Sequence, residues 1–290
     1  MVLRRKERSV PPKQLIALGA CLLWLPLSLG AETITAKGSD TLVILAQRWA
    51  EVYMRERPEI RIQVTGGGSG TGLAALQNQT TDLAYASRRI KPREVAACIK
   101  AFGAKPREYR VCLDGLSIYV HDENPVKELS IAQLAAIFTG QMTHWREVGG
   151  ADAPITIYSR ENSSGTYEFF KNTILAGEDF DASTQTMQGT AAVLQALAKD
   201  ESGIGYGGAA YGVKAGFVRV RQNETTASYF PTEENILSHR YPIWRPLYIY
   251  VNPKQDKGSI RDYLTWIRSP KGQAIVREVG YFPLPTEGRS

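Results

Sequence analysis

Histidine and cysteine are scarce in this 290-residue chain, three of each, and that scarcity removes several chemistries at once. His121, His144 and His239 stand too far apart for a metal-ligand motif. No G-x-S-x-G elbow occurs, because Gly68-Ser69-Gly70 is a different arrangement. A dedicated phosphatase would show a nucleophile with a base, or a metal cluster, so an enzyme is not expected and neither is a metal or cofactor. Also missing is a second long apolar run: beyond Leu29 no segment reaches the length of a membrane span.

The one apolar run lies at the start. Arg4, Arg5, Lys6, Arg8 and Lys13 precede Leu15 to Leu29, and small residues stand at Ser28, Gly30 and Ala31. Residues 1–31 therefore read as an export signal with cleavage near Gly30 or Ala31, which places the mature protein in the periplasm. Leu18-Gly19-Ala20-Cys21 offers the alternative of lipid anchoring at Cys21, but the apolar core continues well past that cysteine, where a lipobox would end it. The leader holds five basic residues and one acidic residue, so the formal charge of +6, less the leader's +4, leaves +2 for the rest. No basic stripe interleaved with aromatics survives, which excludes a nucleic-acid partner. About 260 residues remain, enough for one large core or two lobes. Cys98 and Cys112 are the cysteines left, and in an oxidising compartment an even pair so spaced reads as a disulfide, the alternative being two buried free thiols.

What the chain does have is a polar, glycine-rich turn between strand and helix, used repeatedly. A strand at Ile34-Thr35-Ala36 runs into Gly38-Ser39-Asp40-Thr41, followed by a helical pattern of Leu42, Leu45, Ala46, Trp49, Val52 and Tyr53 that stops before Pro58. The strand Ile60 to Thr65 empties into GGGSGTG at Gly66 to Gly72, and Leu73 to Leu76 open another helix. Glycines at that junction permit an anion-binding nest of successive N–H groups, although the lysine of a P-loop is absent. Asp82 to Ser87 is a short strand delivering Ser87-Arg88-Arg89. Ile155 to Tyr158 feeds RENSSGTYEFFK at Arg160 to Lys171, where Ser164 can cap a helix, Gly165 allows close approach, Thr166 adds a hydroxyl and Arg160 can close over an anion with its guanidinium. Further strands are read at Leu116 to Val120 and Tyr248 to Val251, a glycine-rich strand or turn at Gly203 to Gly208, helices at Ile131 to Phe138 and Ala191 to Ala198, and one or two closing helices over Tyr263 to Ile267 with Gly272 to Val279. This alternation predicts an α/β fold with mainly parallel pairing, ligands lying beyond the carboxyl ends of strands.

GSDT at Gly38, GGGSGTG at Gly66, the Ser87-Arg88 strand end, RENSSGT at Arg160 and PTEEN at Pro231 to Asn235 together resemble the phosphate-binding solute receptors of bacterial phosphate ABC importers. The resemblance implies a two-lobed periplasmic-binding-protein fold of type II, with a hinge and a central anion cleft, acting as a monomer. Residues 32–115 plus 245–290 would form lobe 1 and residues 116–244 lobe 2. It further implies that inorganic phosphate is held by Ser39, Asp40, Ser69, Ser87, Arg88, Arg160, Ser164, Gly165 and Thr166, and delivered to permease subunits in the membrane. One departure stands out: many members carry an aspartate after the strand-end serine, accepting the phosphate proton, and here that residue is Arg88. Sulfate or molybdate therefore remains an alternative ligand, and a secreted phosphatase a more distant one.

Overall fold

The structure, a computed structural model, describes residues 31–212 and 216–285. The export signal and Cys21 lie outside the described residues, apart from Ala31. The chain opens with β1 (Glu32–Gly38), α1 (Asp40–Glu56), β2 (Ile60–Thr65), α2 (Ser69–Gln77) and β3 (Leu83–Ala86). Leu42, Leu45, Ala46, Trp49 and Tyr53 are all buried along α1, so the helical period of the sequence is the core-facing stripe. Next come α3 (Pro92–Phe102), which the sequence reading does not contain, and β4 (Arg107–Val120), of which it contains only the half from Leu116. The middle of the chain supplies β5 (Glu128–Ser130), α4 (Ile131–Phe138), β6 (Thr156–Arg160), α5 (Gly165–Thr173), β7 (Gln185–Met187), α6 (Gly189–Leu197), β8 (Gly203–Gly208) and β9 (Gly216–Arg221). It closes with α7 (Glu233–Leu237), β10 (Trp244–Val251), α8 (Gly258–Arg268) and α9 (Pro270–Val279).

The strands follow the order β2-β1-β3-β10-β4-β8-β6-β7, with β9 beside β4 and β5. Pairing is parallel among β2, β1 and β3 and again among β8, β6 and β7, but β10 runs antiparallel to both β3 and β4, and β4 antiparallel to β8 and β9. The expectation of mainly parallel pairing is thus corrected to a mixed sheet. The reason is that β4 and β10 carry the chain between the two lobes in opposite directions and pair along most of their length, from Arg107 with Val251 to Gly115 with Trp244.

Two large cores result. One joins α1, α8 and α9 to β1, β2 and β3, with Val111 and Cys112 of β4 and Leu247, Ile249 and Val251 of β10. The other gathers Leu116, Ile118 and Val120 of β4 with residues of α4, α5, β6, β8 and β9. The architecture is α/β and two-lobed, and β4 and β10 belong to both halves.

The expected disulfide is not formed: Cys98 and Cys112 are buried free thiols. Cys112 points into the core beneath α1 and α8, alongside Leu83 and Tyr85. Cys98 lies on α3, which packs on α2, and α2 covers the opposite sheet face with Ala84 and Ala86. The sheet stands between the two sulfurs, and a bridge across it would need backbone movement. Burial pushes the Cys98 thiol up to about 11, so it stays protonated.

Candidate anion-binding site

Three helices start in one place. α1 begins at Asp40 after the Gly38 turn, α2 at Ser69 inside the glycine run, and α5 at Gly165 behind its Ser164 cap. Thr166 Oγ1 lies 2.7 Å from Thr41 Oγ1 and 3.4 Å from Ser87 Oγ, and Ser87 Oγ lies 3.3 Å from Ser69 Oγ. The Ser87 N–H also donates to Ser69 Oγ at 3.0 Å. These four hydroxyl side chains are buried, and they tie the first turns of α1, α2 and α5 to the end of β3. Each helix N-terminus is equivalent to roughly half a positive charge, so three of them meeting on rotatable hydroxyl donors form an anion-accepting spot that needs no metal.

Glycine is required where the two sides touch. A Cβ on Gly165 would sit 2.3 Å from Ser69 Oγ and 2.7 Å from Ser87 Oγ. Gly68 has φ of +90° and lies against Ser163, with room for no side chain, and the Gly70 N–H donates to Ser163 O at 2.9 Å. The glycine run therefore docks onto the loop that starts α5. It is also the entry to a helix: α2 begins within it, earlier than the Leu73 start read from sequence.

Ser164 does cap α5, its Oγ accepting from the Thr166 and Tyr167 N–H groups at 3.1 and 3.3 Å. Those two amides are thereby used, which leaves the hydroxyls and the Gly165 end of the helix facing the site. Phe170 fixes the helix from behind, stacked on Tyr206 with ring centroids 4.1 Å apart and packed on Phe138 at 4.6 Å. Ser39 is buried beside β3 through its N–H bond to Tyr85 O at 2.9 Å, and its side chain makes no capping bond to α1.

Arg160 is 1% exposed and belongs to a second cluster next to the hydroxyls. Its Nη2 donates to Glu161 Oε1 at 3.0 Å and Asp40 Oδ2 at 3.3 Å, its Nε to Glu161 Oε2 at 3.1 Å, and its Nη1 to Thr190 Oγ1 at 3.0 Å. Asp40 Oδ1 accepts from the Gly67 N–H at 2.8 Å, so its carboxylate joins the glycine run to Arg160. Asp40 and Thr41 are adjacent in the first turn of α1, and through them the two clusters meet.

Arg88 does not join either cluster. Its guanidinium grips Glu94 with two bonds, Nη1 to Oε2 at 2.8 Å and Nη2 to Oε1 at 2.7 Å, and its Nε lies 3.1 Å from Glu168 Oε2. Burial works against its charge, but the bonds to Glu94 and the nearby Glu168 prevail and raise its pKa. Thr41 and Arg245 also reach the hydroxyl cluster, and Asp114 holds Arg245 there. Arg245 Nη2 donates to Thr166 Oγ1 at 3.0 Å and to Asp114 Oδ2 at 2.9 Å, both residues of this ion pair being buried, and Thr41 supplies the fourth hydroxyl. Burial outweighs Arg245 and pushes the Asp114 carboxyl above its ordinary pKa. Thr41 stood within the GSDT turn and was legible there. Arg245 and Asp114 carry no local signal, since they face the site only because β10 pairs with β4 at Arg245 and Asp114.

Comparison with known proteins gives a consistent result. A family model described as a PBP superfamily domain matches residues 28–271. Phosphate-binding protein PstS of Pseudomonas aeruginosa is 35% identical over 272 residues, covering 88% of this chain and 84% of that protein. Protein SphX of Synechococcus elongatus is 31% identical over 267 residues, covering 88% of this chain and 78% of that protein. Among solved structures, a putative phosphate ABC transporter substrate-binding protein with bound phosphate from Clostridium perfringens superposes with a TM-score of 0.80 at 27% identity, covering 88% of this chain and 100% of that one.

Proposed function

Because the chain belongs to the PBP superfamily and, within it, to the phosphate-binding receptors of ABC importers, we propose that it captures inorganic phosphate outside the cytoplasm and delivers it to such an importer. The observation that carries this reading is the meeting of three helix starts on the buried hydroxyls of Thr41, Ser69, Ser87 and Thr166, with buried Arg160 beside them. In this reading Ser39, Ser69, Ser87, Ser164, Gly165 and Thr166 surround the anion, and Arg160 turns part of its fork from Asp40 and Glu161 toward it. Arg88 is set apart from that group by its bonds to Glu94. The chain acts as a receptor rather than an enzyme: the Ser69 and Ser87 hydroxyls have one another, Thr166 and a backbone N–H as partners, which is an arrangement for donating to an anion and not for making a nucleophile. Residues 32–115 plus 245–290 and residues 116–244 are the two bodies that close on the ligand, and a monomer is the unit that meets the permease subunits.

Calorimetric titration of phosphate, sulfate and molybdate tests the proposal. Phosphate is expected to bind most tightly, without metal, and phosphate esters to remain intact. Arg160→Ala should weaken phosphate by about 30-fold to several-thousand-fold, since removing one partner of a buried charge-assisted contact costs roughly 2 to 5 kcal/mol. An Arg160→Ala protein within threefold of the parent would sink the assignment of that residue, and tighter binding of sulfate or molybdate would replace the ligand.

A further inference from the structure

Arg88 and Lys91 leave β3 and lead into α3, whereas Glu168 sits in the first turn of α5 on the other side of the cleft. Glu168 Oε2 lies 2.5 Å from Lys91 Nζ and 3.1 Å from Arg88 Nε. The Arg88 Nε–H has no hydrogen-bond acceptor, so its contact with Glu168 is an ion pair rather than a directed bond. Arg88 is 9% exposed and the Glu168 side chain 22%, so solvent screens this group of charges incompletely. Glu94, by contrast, belongs to the same side as Arg88 and accepts from the Lys91 N–H at 2.8 Å, so it would stay with Arg88 however the cleft moved.

We infer that Glu168 is a latch: its pairing with Arg88 and Lys91 holds the cleft shut around the anion, and Arg88 serves closure rather than touching the ligand. This inference rests on the proposed anion capture. First, the contacts of Glu168 to Arg88 and Lys91 cross the cleft, so opening must break them, while the Arg88 to Glu94 contact survives. Second, Glu168 shares the first turn of α5 with Gly165 and Thr166, where a carboxylate repels an incoming anion unless cations neutralise it. Closure brings that neutralisation about, coupling the arrival of Arg88 and Lys91 to the acceptance of negative charge. The geometry thereby explains why a residue that would crowd the site with charge, Arg88, is held away from it.

The sign of one substitution decides between latch and ligand. If Arg88 touches the anion, Glu168→Gln frees positive charge near the site and tightens phosphate binding. If Glu168 is a latch, the same substitution weakens phosphate by roughly three- to tenfold, chiefly through faster release. Wild-type affinity should also fall more steeply with added salt than that of Glu168→Gln. Lys91→Ala should weaken binding as well, and the double variant should lose less than the two single losses combined. An affinity that rises or stays level in Glu168→Gln overturns the latch. Wild-type protein giving no heat with phosphate would instead overturn the proposed ligand. The latch is then read from the anion-free proteins by small-angle scattering at low salt: a larger radius of gyration in Glu168→Gln supports it and equal radii reject it.

Discussion

Asp40 shows how a single side chain can be over-determined. The resemblance places it among the residues that hold phosphate, in a family where many members carry a proton-accepting aspartate at the position of Arg88. In the structure its carboxylate bridges the Gly67 N–H and Arg160, and Asp40 is itself the first residue of α1. Near neutral pH phosphate keeps at least one proton and sulfate none, so a carboxylate beside the site accepts from one and repels the other. We propose that Asp40 performs this discrimination while holding Arg160. Asp40→Asn keeps an acceptor for Gly67 but loses the charge. Phosphate should weaken and sulfate gain relative to it, the ratio shifting by about tenfold or more, as an unpaired charge in a desolvated site costs several kcal/mol. Titration of both anions checks this; affinities that do not move would leave Asp40 as an anchor for the glycine run alone.

Among the elements, α3 shows how local residues start a helix on the outside of the fold. Val95, Cys98 and Phe102 recur along it at helical spacing, with Cys98 and Phe102 buried. What starts it is local: Pro92 in the first turn and Glu94 accepting the Lys91 N–H. Burial raises the pKa of Glu94, but its bonds from Arg88 and from the Lys91 N–H overcome that and hold the group below its ordinary value of 4.5. A carboxyl with a depressed folded pKa contributes stability that is present above its unfolded value and is lost as pH falls through the folded one. Wild type should therefore be more stable than Glu94→Gln at neutral pH, and the gap should close as pH drops below about 4.5. Urea unfolding of both proteins across that range measures it, and a gap independent of pH would mean that the Glu94 charge contributes nothing.

At the scale of the whole molecule, β4 and β10 connect the two lobes, and we propose that the lobes move about these two strands. Across the cleft, around the hydroxyl cluster, the contacts are polar, among them Thr41, Ser87 and Arg245 to Thr166, Arg160 to Asp40, the Gly70 N–H to Ser163, and Glu168 to Arg88 and Lys91. Contacts of this kind can be exchanged for water at little cost, whereas the two apolar cores cannot, which favours a hinge over internal rearrangement. Phosphate at saturation should therefore reduce the radius of gyration measured by small-angle scattering. An unchanged radius would count against a clamp that opens and closes.

Much of the site was written locally, because a helix start needs only its own few residues. GSDT, GGGSGTG and RENSSGT each encode a turn, a hydroxyl and the beginning of a helix, and the structure brings Thr41, Ser69 and Thr166 of those turns together with Ser87. The α/β class and the buried stripe of α1 were legible for the same reason, through a period that only adjacent turns must satisfy. Long-range pairing decided the rest. The direction of β10, the first half of β4 and the approach of Arg245, held by Asp114, to Thr166 follow from strands far apart in sequence. Position alone decides two further arrangements. The Cys98 and Cys112 thiols, close enough in sequence to bridge, are kept on opposite faces of a sheet. Arg88, adjacent to the Ser87 hydroxyl, turns its charge away because Glu94 and Glu168 stand where only the tertiary fold could put them.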